Sequence, residues 1–185
     1  MRSSTHIARQ APRRSSGKNA VTPTRIVTPA KGKETGAYKG LDDFVVVVSH
    51  ATPYQLVEIE RRGVDGRFLK DLSKRLEISQ LHVFDMIGVP KATAEKKVAA
   101  GAVISGSGGQ AAIGMARLIA KASEIVANST APQARDFDAA KWLGKWIDIA
   151  QPALGGRKPS ELLDTPTGLD VVLKLLGAIE SGAYQ

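Results

Sequence analysis

Residues 139–185, AAKWLGKWIDIAQPALGGRKPSELLDTPTGLDVVLKLLGAIESGAYQ, contain the most regular pattern of helices and turns in this chain. Apolar side chains recur near its start at helical spacing, at Trp142, Leu143, Trp146, Ile147 and Ala150. This spacing predicts one helix whose inner face buries both tryptophans of the protein. Gln151-Pro152 predicts the end of that helix, because proline disfavours helical geometry in the residue before it.

The residues that follow predict a reversal and two further helical segments. Gly155-Gly156 supply the backbone freedom for the reversal, and Pro159 is suited to open a helical turn. Thr165 and Pro166 are typical of the N-cap and first position of a longer helix, which Gly182 is placed to terminate. The apolar stripe predicted for this helix consists of Leu169, Val172, Leu173, Leu176 and Ile179.

Three motifs occur in order in this stretch. Trp142-Leu143 precedes the pattern P-x-L-G-G-R-x-P-x-E-L-L-x-T-x-x-G, and V-x-x-L-L-x-x-I-E and G-x-Y follow it. Together they resemble the Xre/MbcA/ParS antitoxin family, and the likeness extends from Pro53 to Tyr184. The residues that carry it are Trp142, Leu143, Pro152, Leu154, Gly155, Gly156, Arg157, Pro159, Glu161, Leu162, Leu163, Thr165, Gly168, Val172, Leu175, Leu176, Ile179, Glu180, Gly182 and Tyr184.

The resemblance implies a two-part antitoxin. Its N-terminal helix-turn-helix region would repress its own operon, and its C-terminal domain would bind a RES-domain toxin that consumes NAD. In the family the C-terminal end of the antitoxin lies over the toxin's active-site cleft, and antitoxin dimers assemble with a toxin dimer. The chemistry would belong to that partner, and this chain would need no cofactor.

Several residues near the end of the chain lie at turn or terminal positions that core packing does not explain. Arg157 and Lys158 are therefore expected to meet the toxin surface, although Arg157 has the alternative of capping the preceding helix carbonyls. The terminal segment is expected to fill the cleft, because a peptide anchored by a rigid helix occludes a concave site at little ordering cost. The expected toxin-binding residues are Arg157, Lys158, Glu180, Ser181, Gly182, Ala183, Tyr184 and Gln185.

Composition is compatible with a helical, cytosolic protein, and the predicted fold class is all-α. The 185 residues are 43% apolar and 5% aromatic, which is compatible with one medium domain or two small ones. Cysteine is absent, so disulfides and thiolate metal sites are excluded. No apolar run approaches membrane-spanning length, and no signal-peptide pattern occurs. The predicted organisation is a tail over residues 1–40, a helix-turn-helix region over 41–105 and a toxin-binding domain over 106–185.

The net charge of +8 is located in the tail. Met1 to Lys39 contains nine Lys and Arg residues and one acidic residue, Glu34, whereas the charges of the remaining chain cancel. The tail is also rich in Ser, Thr, Pro and Gly, so it cannot bury enough apolar surface to fold and is predicted to be disordered. A solvated leader and a flexible arm that contacts DNA phosphates are both open, and a transit peptide is a third alternative.

The segment before the proposed helix-turn-helix is less regular. Leu41 to Val48, LDDFVVVV, is β-branched and short, so both a strand and the start of a buried helix are open. From Pro53 the pattern predicts a helix that ends at Arg61-Arg62-Gly63. A second short helix and its turn are marked by Leu69, Leu72, Leu76 and Ile78.

Ser79 to Gly101, SQLHVFDMIGVPKATAEKKVAAG, has the order of a helix-turn-helix. Ser79 is expected to cap a helix that runs through Met86, Gly88-Val89-Pro90 to form the turn, and Lys91 to start the second helix. The usual small residue before the turn and large residue after it are exchanged here, as Phe84 and Ala94. Because the two sites face each other, the exchange conserves volume, with a tilt of the second helix as the alternative.

If the second helix enters the major groove, the side chains expected at phosphates or base edges are Lys91, Thr93, Lys96 and Lys97. Residues 67–99 carry seven basic and four acidic residues, which is a modest positive balance. The alternative is a helical pair that has lost DNA binding and supports dimer or toxin contacts.

Residues 106–111, GSGGQA, match the G-x-G-x-x-A pattern of a dinucleotide site. No second apolar strand follows the predicted helix Ala111 to Ala127, so the βαβ context is missing and the site is rejected. The glycines are instead expected to form a flexible hinge between the DNA-facing and toxin-facing parts.

The sequence offers little support for catalysis. His6, His50 and His82 are scattered, and no paired-carboxylate or Ser/His/Asp arrangement recurs at one site. His82 is expected to be a partly exposed structural residue, because a metal site needs several convergent donors. The resulting prediction is a non-enzymatic antitoxin without a bound metal. A stand-alone dimeric DNA-binding factor and a localisation protein that uses the same domain for docking are the alternatives.

Overall fold

The computed structural model describes residues 38–180, and this part of the chain is built from eight α-helices and one pair of short strands. The all-α class is confirmed. The helices are α1 Leu41–Ser49, α2 Pro53–Arg62, α3 Arg67–Leu76, α4 Gln80–Met86, α5 Lys91–Ala100, α6 Gly106–Asn128, α7 Ala139–Trp146 and α8 Pro166–Glu180. Residues 1–37, which hold nearly all of the predicted disordered tail, lie outside the described residues, as do Ser181 to Gln185.

The ambiguous segment Leu41 to Val48 belongs to helix α1. Its valines favour a strand locally, but α1 packs against α6 and buries Leu41 and Val48. The ring of Phe44 also meets Phe68 of α3 edge-on, with the ring centroids 5.2 Å apart. Tertiary packing therefore outweighs the β-branched preference of this short segment.

Helix α2 begins and ends as predicted. The Thr52 hydroxyl accepts a hydrogen bond from the Gln55 N–H at 3.3 Å, and the Gln55 side chain accepts one from the Thr52 N–H at 2.8 Å. This capping box defines the first turn. Gly63 ends the helix with a φ of +76°, and a Cβ at this position would collide with the Ile104 carbonyl oxygen.

Two short strands join the beginning of α3 to the beginning of α6. Strand β1 (Val64–Asp65) pairs antiparallel with β2 (Val103–Ile104), with Val64 opposite Ile104. Two-residue strands are too short to form a core of their own. The pair instead fixes the distance between the α2–α3 corner and α6.

The expectation that the glycines after Ile104 form a flexible hinge is wrong. They form the first turns of α6, which begins at Gly106, five residues before the predicted start at Ala111. Gly108 and Gly109 are buried, and a Cβ on Gly109 would lie 2.7 Å from the Ile104 carbonyl oxygen. Glycine is therefore required here for close packing of α6 on β2 rather than for flexibility.

Helix α6 is the central element of the described residues. It packs against α1, α2, α7 and α8. Eleven of its 23 residues are buried, including Ile113, Met115 and Leu118. The two regions predicted on either side of residue 105 thus share one core around α6.

Helix α7 is shorter than predicted. It ends at Trp146, and the chain closes a tight turn in which the Ile149 N–H donates to the Trp146 carbonyl oxygen at 3.0 Å. Trp146 is buried, Trp142 is only half-buried, and Ala150, which lies beyond the helix, is exposed. The prediction of a helix through Ala150 that buries both tryptophans is corrected accordingly.

Helix α8 follows the predicted pattern. The Thr165 hydroxyl accepts from the Gly168 N–H at 3.1 Å, and Pro166 occupies the first helical position. Within the predicted stripe Leu169, Val172 and Leu176 are buried, whereas Leu173 and Ile179 are partly buried. Leu175 is also buried, because α8 lies across α6 and not on an open surface.

No helix within residues 38–180 combines the length and the apolar character needed to cross a bilayer.

Candidate functional site

The helix pair α4–α5 has the geometry that the sequence predicts. The Ser79 hydroxyl accepts from the His82 N–H at 3.1 Å and caps α4. Gly88 adopts a φ of +65°, and the Val89 N–H donates to the Phe84 carbonyl oxygen at 3.0 Å. This is the Schellman closure of a helix end, and it turns the chain into α5.

The exchanged residues Phe84 and Ala94 are both buried, with 2% and 0% of their surface exposed. A large residue on α4 and a small one on α5 thus both belong to the core. Because the core holds both without exposing the Phe84 ring, the exchange is compatible with conservation of volume across the helix pair.

The four predicted DNA-binding residues lie on α5 in two different settings. Lys91, Thr93 and Lys96 are exposed. Lys97 is partly buried, and its ammonium group donates to the Val103 carbonyl oxygen at 2.7 Å. The structure therefore presents three of the four side chains outward, while Lys97 ties α5 to β2.

The turn that carries Arg157 and Lys158 is a closed reversal. The Gln151 N–H donates to the Arg157 carbonyl oxygen at 2.9 Å, and Gly155 and Gly156 have positive φ angles of 67° and 82°. Both Arg157 and Lys158 are exposed. Within residues 38–180 the Arg157 side chain makes no hydrogen bond to the end of α7, so the capping role proposed as its alternative is not formed there.

Glu180, the last residue of α8, points toward α6. Its carboxylate accepts from Lys121 Nζ at 2.9 Å and from Asn128 Nδ2 at 3.2 Å. These two hydrogen bonds hold the pKa of Glu180 below its usual range, with that from Lys121 the larger cause. The other predicted residues of the segment, Ser181, Gly182, Ala183, Tyr184 and Gln185, lie outside the described residues.

An exposed aromatic edge was missed by the sequence reasoning. Phe137 is 43% exposed, and its ring centroid lies 6.2 Å from that of Trp142. The Trp142 ring stacks on the Trp146 ring, with the centroids 5.6 Å apart. Ile149 is 56% exposed just after α7. Their apolar character beside the tryptophan helix was the available signal, but the early end of α7 had to be known before the exposure of Ile149 could be inferred.

Polar contacts fix α7 to the helix-turn-helix region. Arg75 of α3 donates to both carboxylate oxygens of Asp138 at 2.7 and 2.8 Å, and Lys141 lies 2.8 Å from Glu77. The backbone N–H of Lys141 and then the Arg75 guanidinium lower the pKa of Asp138. A Cβ on Gly144 would collide with the Leu76 carbonyl oxygen, so the two helices touch at backbone distance.

His82 contributes another of these contacts. Its Nε2 lies 2.9 Å from Asp148 just beyond α7, and both side chains are about one-third exposed. The expectation of a partly exposed structural residue is confirmed.

The candidate site is a surface and not an enclosed pocket. A groove of about 650 Å³ lies between α1, α2 and the strand pair, and none of its lining residues follows Val103. Across residues 38–180 no cluster of three or more His, Asp and Glu side chains could hold a metal ion. The surface features that bear on the predicted partners are the exposed face of α5, the Arg157–Lys158 turn, the aromatic edge and the end of α8.

Two comparisons with known proteins place these features in one family. Residues 137–182 match the family described as the antitoxin Xre/MbcA/ParS C-terminal toxin-binding domain. The matched segment begins at Phe137 and contains the Arg157–Lys158 turn and all of α8. A protein from Sphingobium sp. (strain YBL2) named "Prs ADP-ribosylating antitoxin" is 33% identical over 154 residues, which cover 83% of this chain and 91% of that protein. The chain belongs to the Xre/MbcA/ParS family of antitoxins, and its C-terminal module is the toxin-binding domain of that family.

Proposed function

We propose that this chain is the antitoxin of a type II toxin–antitoxin module and neutralises a NAD-consuming RES-domain toxin. The observation that carries the proposal is the toxin-binding domain match over residues 137–182, which includes all of the anchored helix α8. The name of the Sphingobium relative refers to ADP-ribosylation, a reaction that draws its ADP-ribose from NAD. On this proposal the chain is not an enzyme and requires no cofactor, and it acts in the cytoplasm.

Neutralisation on this proposal is steric. Arg157 and Lys158 meet the toxin surface from a turn of fixed shape, and residues 181–185 enter the cleft that binds NAD. The core contacts of Leu169, Val172 and Leu176 hold α8 in place, so the terminal peptide loses little entropy on binding. A short peptide that fills a concave site excludes the substrate without any chemistry of its own.

Removal of Gly182 to Gln185 tests this occlusion directly. The truncated protein is expected to lose inhibition of NAD turnover by the RES-domain toxin encoded beside it, because the cleft stays open. Its thermal unfolding midpoint is expected to match that of the full chain, since the deleted residues lie beyond α8. Full inhibition by the truncated protein would refute occlusion.

We propose in addition that residues 41–105 repress the operon of this chain by binding operator DNA. The exposed side chains of Lys91, Thr93 and Lys96 support this function, since α5 carries them outward from the helix-turn-helix. Lys97 is proposed to contribute charge near the phosphates while it donates to Val103. A helix-turn-helix protein reads two half-sites as a dimer, so a homodimer within the toxin–antitoxin complex is part of the proposal.

Exposed valines on α1 support the homodimer. Val46 is 57% exposed and Val47 is 50% exposed, although the same helix buries Leu41 and Val48 against the core. Both valines line the groove between α1, α2 and the strand pair together with Phe44, so they belong to a larger apolar surface of the kind that marks an association site, and the occupant proposed here is a second copy of the chain.

The alternative function is a stand-alone dimeric DNA-binding factor, which the intact α4–α5 geometry favours. Purification of the tagged chain from its host separates the two. A near-stoichiometric protein that turns over NAD only after release supports the antitoxin function. Recovery of DNA without a protein partner supports the DNA-binding factor, with the C-terminal module then serving for dimerisation or docking.

A further inference from the structure

We infer that Lys121 and Asn128 of α6 are positioning residues for toxin neutralisation: through Glu180 they hold the last turn of α8 and so direct residues 181–185 toward the toxin. The inference rests on the proposed occlusion function. It changes the role of Glu180, which then acts within the antitoxin and does not contact the toxin.

The contacts form a clamp with one partner for each carboxylate oxygen. Lys121 Nζ lies 2.9 Å from Oε2 of Glu180, and Asn128 Nδ2 lies 3.2 Å from Oε1. Lys121 and Asn128 are seven residues apart, which places them on the same face of α6 two turns apart. The carboxylate is therefore held between two points on one rigid helix and cannot swing about a single hydrogen bond.

The local sequence of α8 makes such a clamp necessary at this end. Glu180 places a negative charge at the C-terminus of a helix, where the helix dipole disfavours it. Gly177 lies in the same turn, and glycine weakens a helix interior. The stem of Lys121 passes over Gly177, with Lys121 Cε 3.9 Å from the position of a Cβ on that glycine. Without the ammonium group, the last turn would be a site of fraying.

The clamp contributes little to the stability of the fold as a whole. The side chains of Lys121 and Glu180 are 26% and 32% exposed, and ion pairs of this kind add little to folding free energy. The remainder of α8 is held by Leu169, Val172 and Leu176, which are buried. Loss of the clamp is thus expected to release the last turn and leave the rest of the helix in place.

A frayed last turn would weaken neutralisation because it would lower the local concentration of the terminal peptide at the cleft. The terminal residues would sample a larger volume, and their effective concentration at the cleft would fall. The toxin would also have to order the turn on binding. We expect inhibition to weaken on the order of fivefold to tenfold, which corresponds to loss of one modest ordering contribution.

The test uses Lys121→Met, which keeps the apolar stem, and Glu180→Gln, together with the double variant. Each full-length protein is titrated against the proposed RES-domain toxin while NAD turnover is followed. Both single variants are expected to need about fivefold to tenfold more protein for half inhibition, and the double variant no more than either, because one interaction is lost in all three. The charge exchange Lys121→Glu with Glu180→Lys is expected to recover part of the loss.

Glu124→Gln is the matched control. Glu124 also lies near Lys121, with an N–O distance of 3.4 Å, but it belongs to α6 and does not hold α8. Its replacement is expected to leave inhibition unchanged. Additive losses in the double variant, or unchanged inhibition in both single variants, would overturn the inference. If the truncation described above abolishes inhibition while these variants inhibit normally, the clamp fails and occlusion stands.

Amide hydrogen exchange of the antitoxin alone provides a readout that does not depend on the toxin. Faster exchange is expected at residues 177–180 in Glu180→Gln, with exchange over residues 169–173 unchanged. Thermal unfolding midpoints are expected to agree within about 2 °C. Unchanged exchange at residues 177–180 would overturn the inference whatever the toxin assay gives.

Discussion

Helices α5 and α8 differ in how much of their surface is buried and in how their ends are fixed. We propose that they face the two macromolecular partners. Helix α5 buries Ala94 and exposes most of its remaining side chains, and its N-terminus has no side-chain cap. Helix α8 buries five residues, begins at the Thr165 cap and ends at the Glu180 contacts. A helix that presents its side chains must leave its surface open, whereas a helix that presents a terminal peptide must have its end held.

The largest expected effect tests how α5 is packed, through Phe84 of α4 and Ala94, the buried residue of α5. Phe84→Ala is expected to destabilise the fold by about 3–5 kcal/mol, because the ring is buried and a cavity remains. Adding Ala94→Phe is expected to recover part of the loss, as the pair would then have the more usual order of sizes. Urea unfolding monitored by tryptophan fluorescence measures both.

Leu81→Ala is the control for that experiment. Leu81 lies on the same helix but is 46% exposed, so its truncation is expected to cost less than about 1 kcal/mol. If the double variant is less stable than either single variant, Phe84 and Ala94 do not share one volume.

The next effect concerns the junction between the two regions. Gly144→Ala is expected to cost about 2–3 kcal/mol, because the added Cβ meets the Leu76 backbone and forces α7 away from α3. Gly177→Ala provides the matched control, since its Cβ would make only an ordinary van der Waals contact, 3.9 Å from Lys121 Cε, and alanine favours the helix by up to about 1 kcal/mol. Chemical unfolding is expected to show a lower free energy of unfolding for Gly144→Ala and a higher one for Gly177→Ala. If both variants lost the same stability, α3 and α7 could separate at little cost.

A smaller effect separates the two binding functions. Lys96→Ala is expected to weaken binding to the DNA upstream of the reading frame about tenfold and to reduce the salt slope by about one, while toxin inhibition is unchanged. The double variant Arg157→Ala with Lys158→Ala is expected to weaken toxin inhibition and to leave DNA binding unchanged. Fluorescence anisotropy and NAD turnover measure the two activities.

Lys70→Ala removes the same charge from an exposed position outside α5 and serves as the control. Equal losses of DNA affinity in the Lys70 and Lys96 variants would indicate a general charge effect. In that case α5 would not be the recognition helix.

The smallest effect is a pH dependence at the contact of Asp138 with α3. Its folded pKa is lowered from the usual 3.8, so its contribution to stability is complete well above pH 3.8 and is lost as the pH falls through the lower, folded value. Asp138→Asn keeps an N-cap and removes the charge. At pH 7 the wild type is expected to have a higher urea midpoint than the variant. This difference should shrink as the pH falls below 3.8. A difference that grows in acid would contradict this assignment.

Features that depend on neighbours in sequence were predictable. The caps at Ser79 and Thr165, the turn at Gly88 and the reversal at Gly155-Gly156 all occur at the predicted positions. Each cap or turn is formed by hydrogen bonds or backbone angles within a few residues, so the local sequence is enough to predict it. For the same reason the family could be identified from the C-terminal motif.

Features that depend on distant neighbours were not predictable. The helical state of α1 and the close-packed start of α6 follow from packing on other elements, although the local sequence left strand and helix both open for α1 and indicated a hinge before α6. Likewise, the orientation of Lys97 depends on where β2 lies.

By itself the sequence determined the helical class, the order of turns and the antitoxin family, because capping and periodicity act over one or two helical turns. Only the tertiary structure decided which of the candidate side chains face outward and which serve inside the fold. Glu180 shows why: its partners Lys121 and Asn128 lie 59 and 52 residues away along the chain, and only the packing of α8 on α6 brings them together.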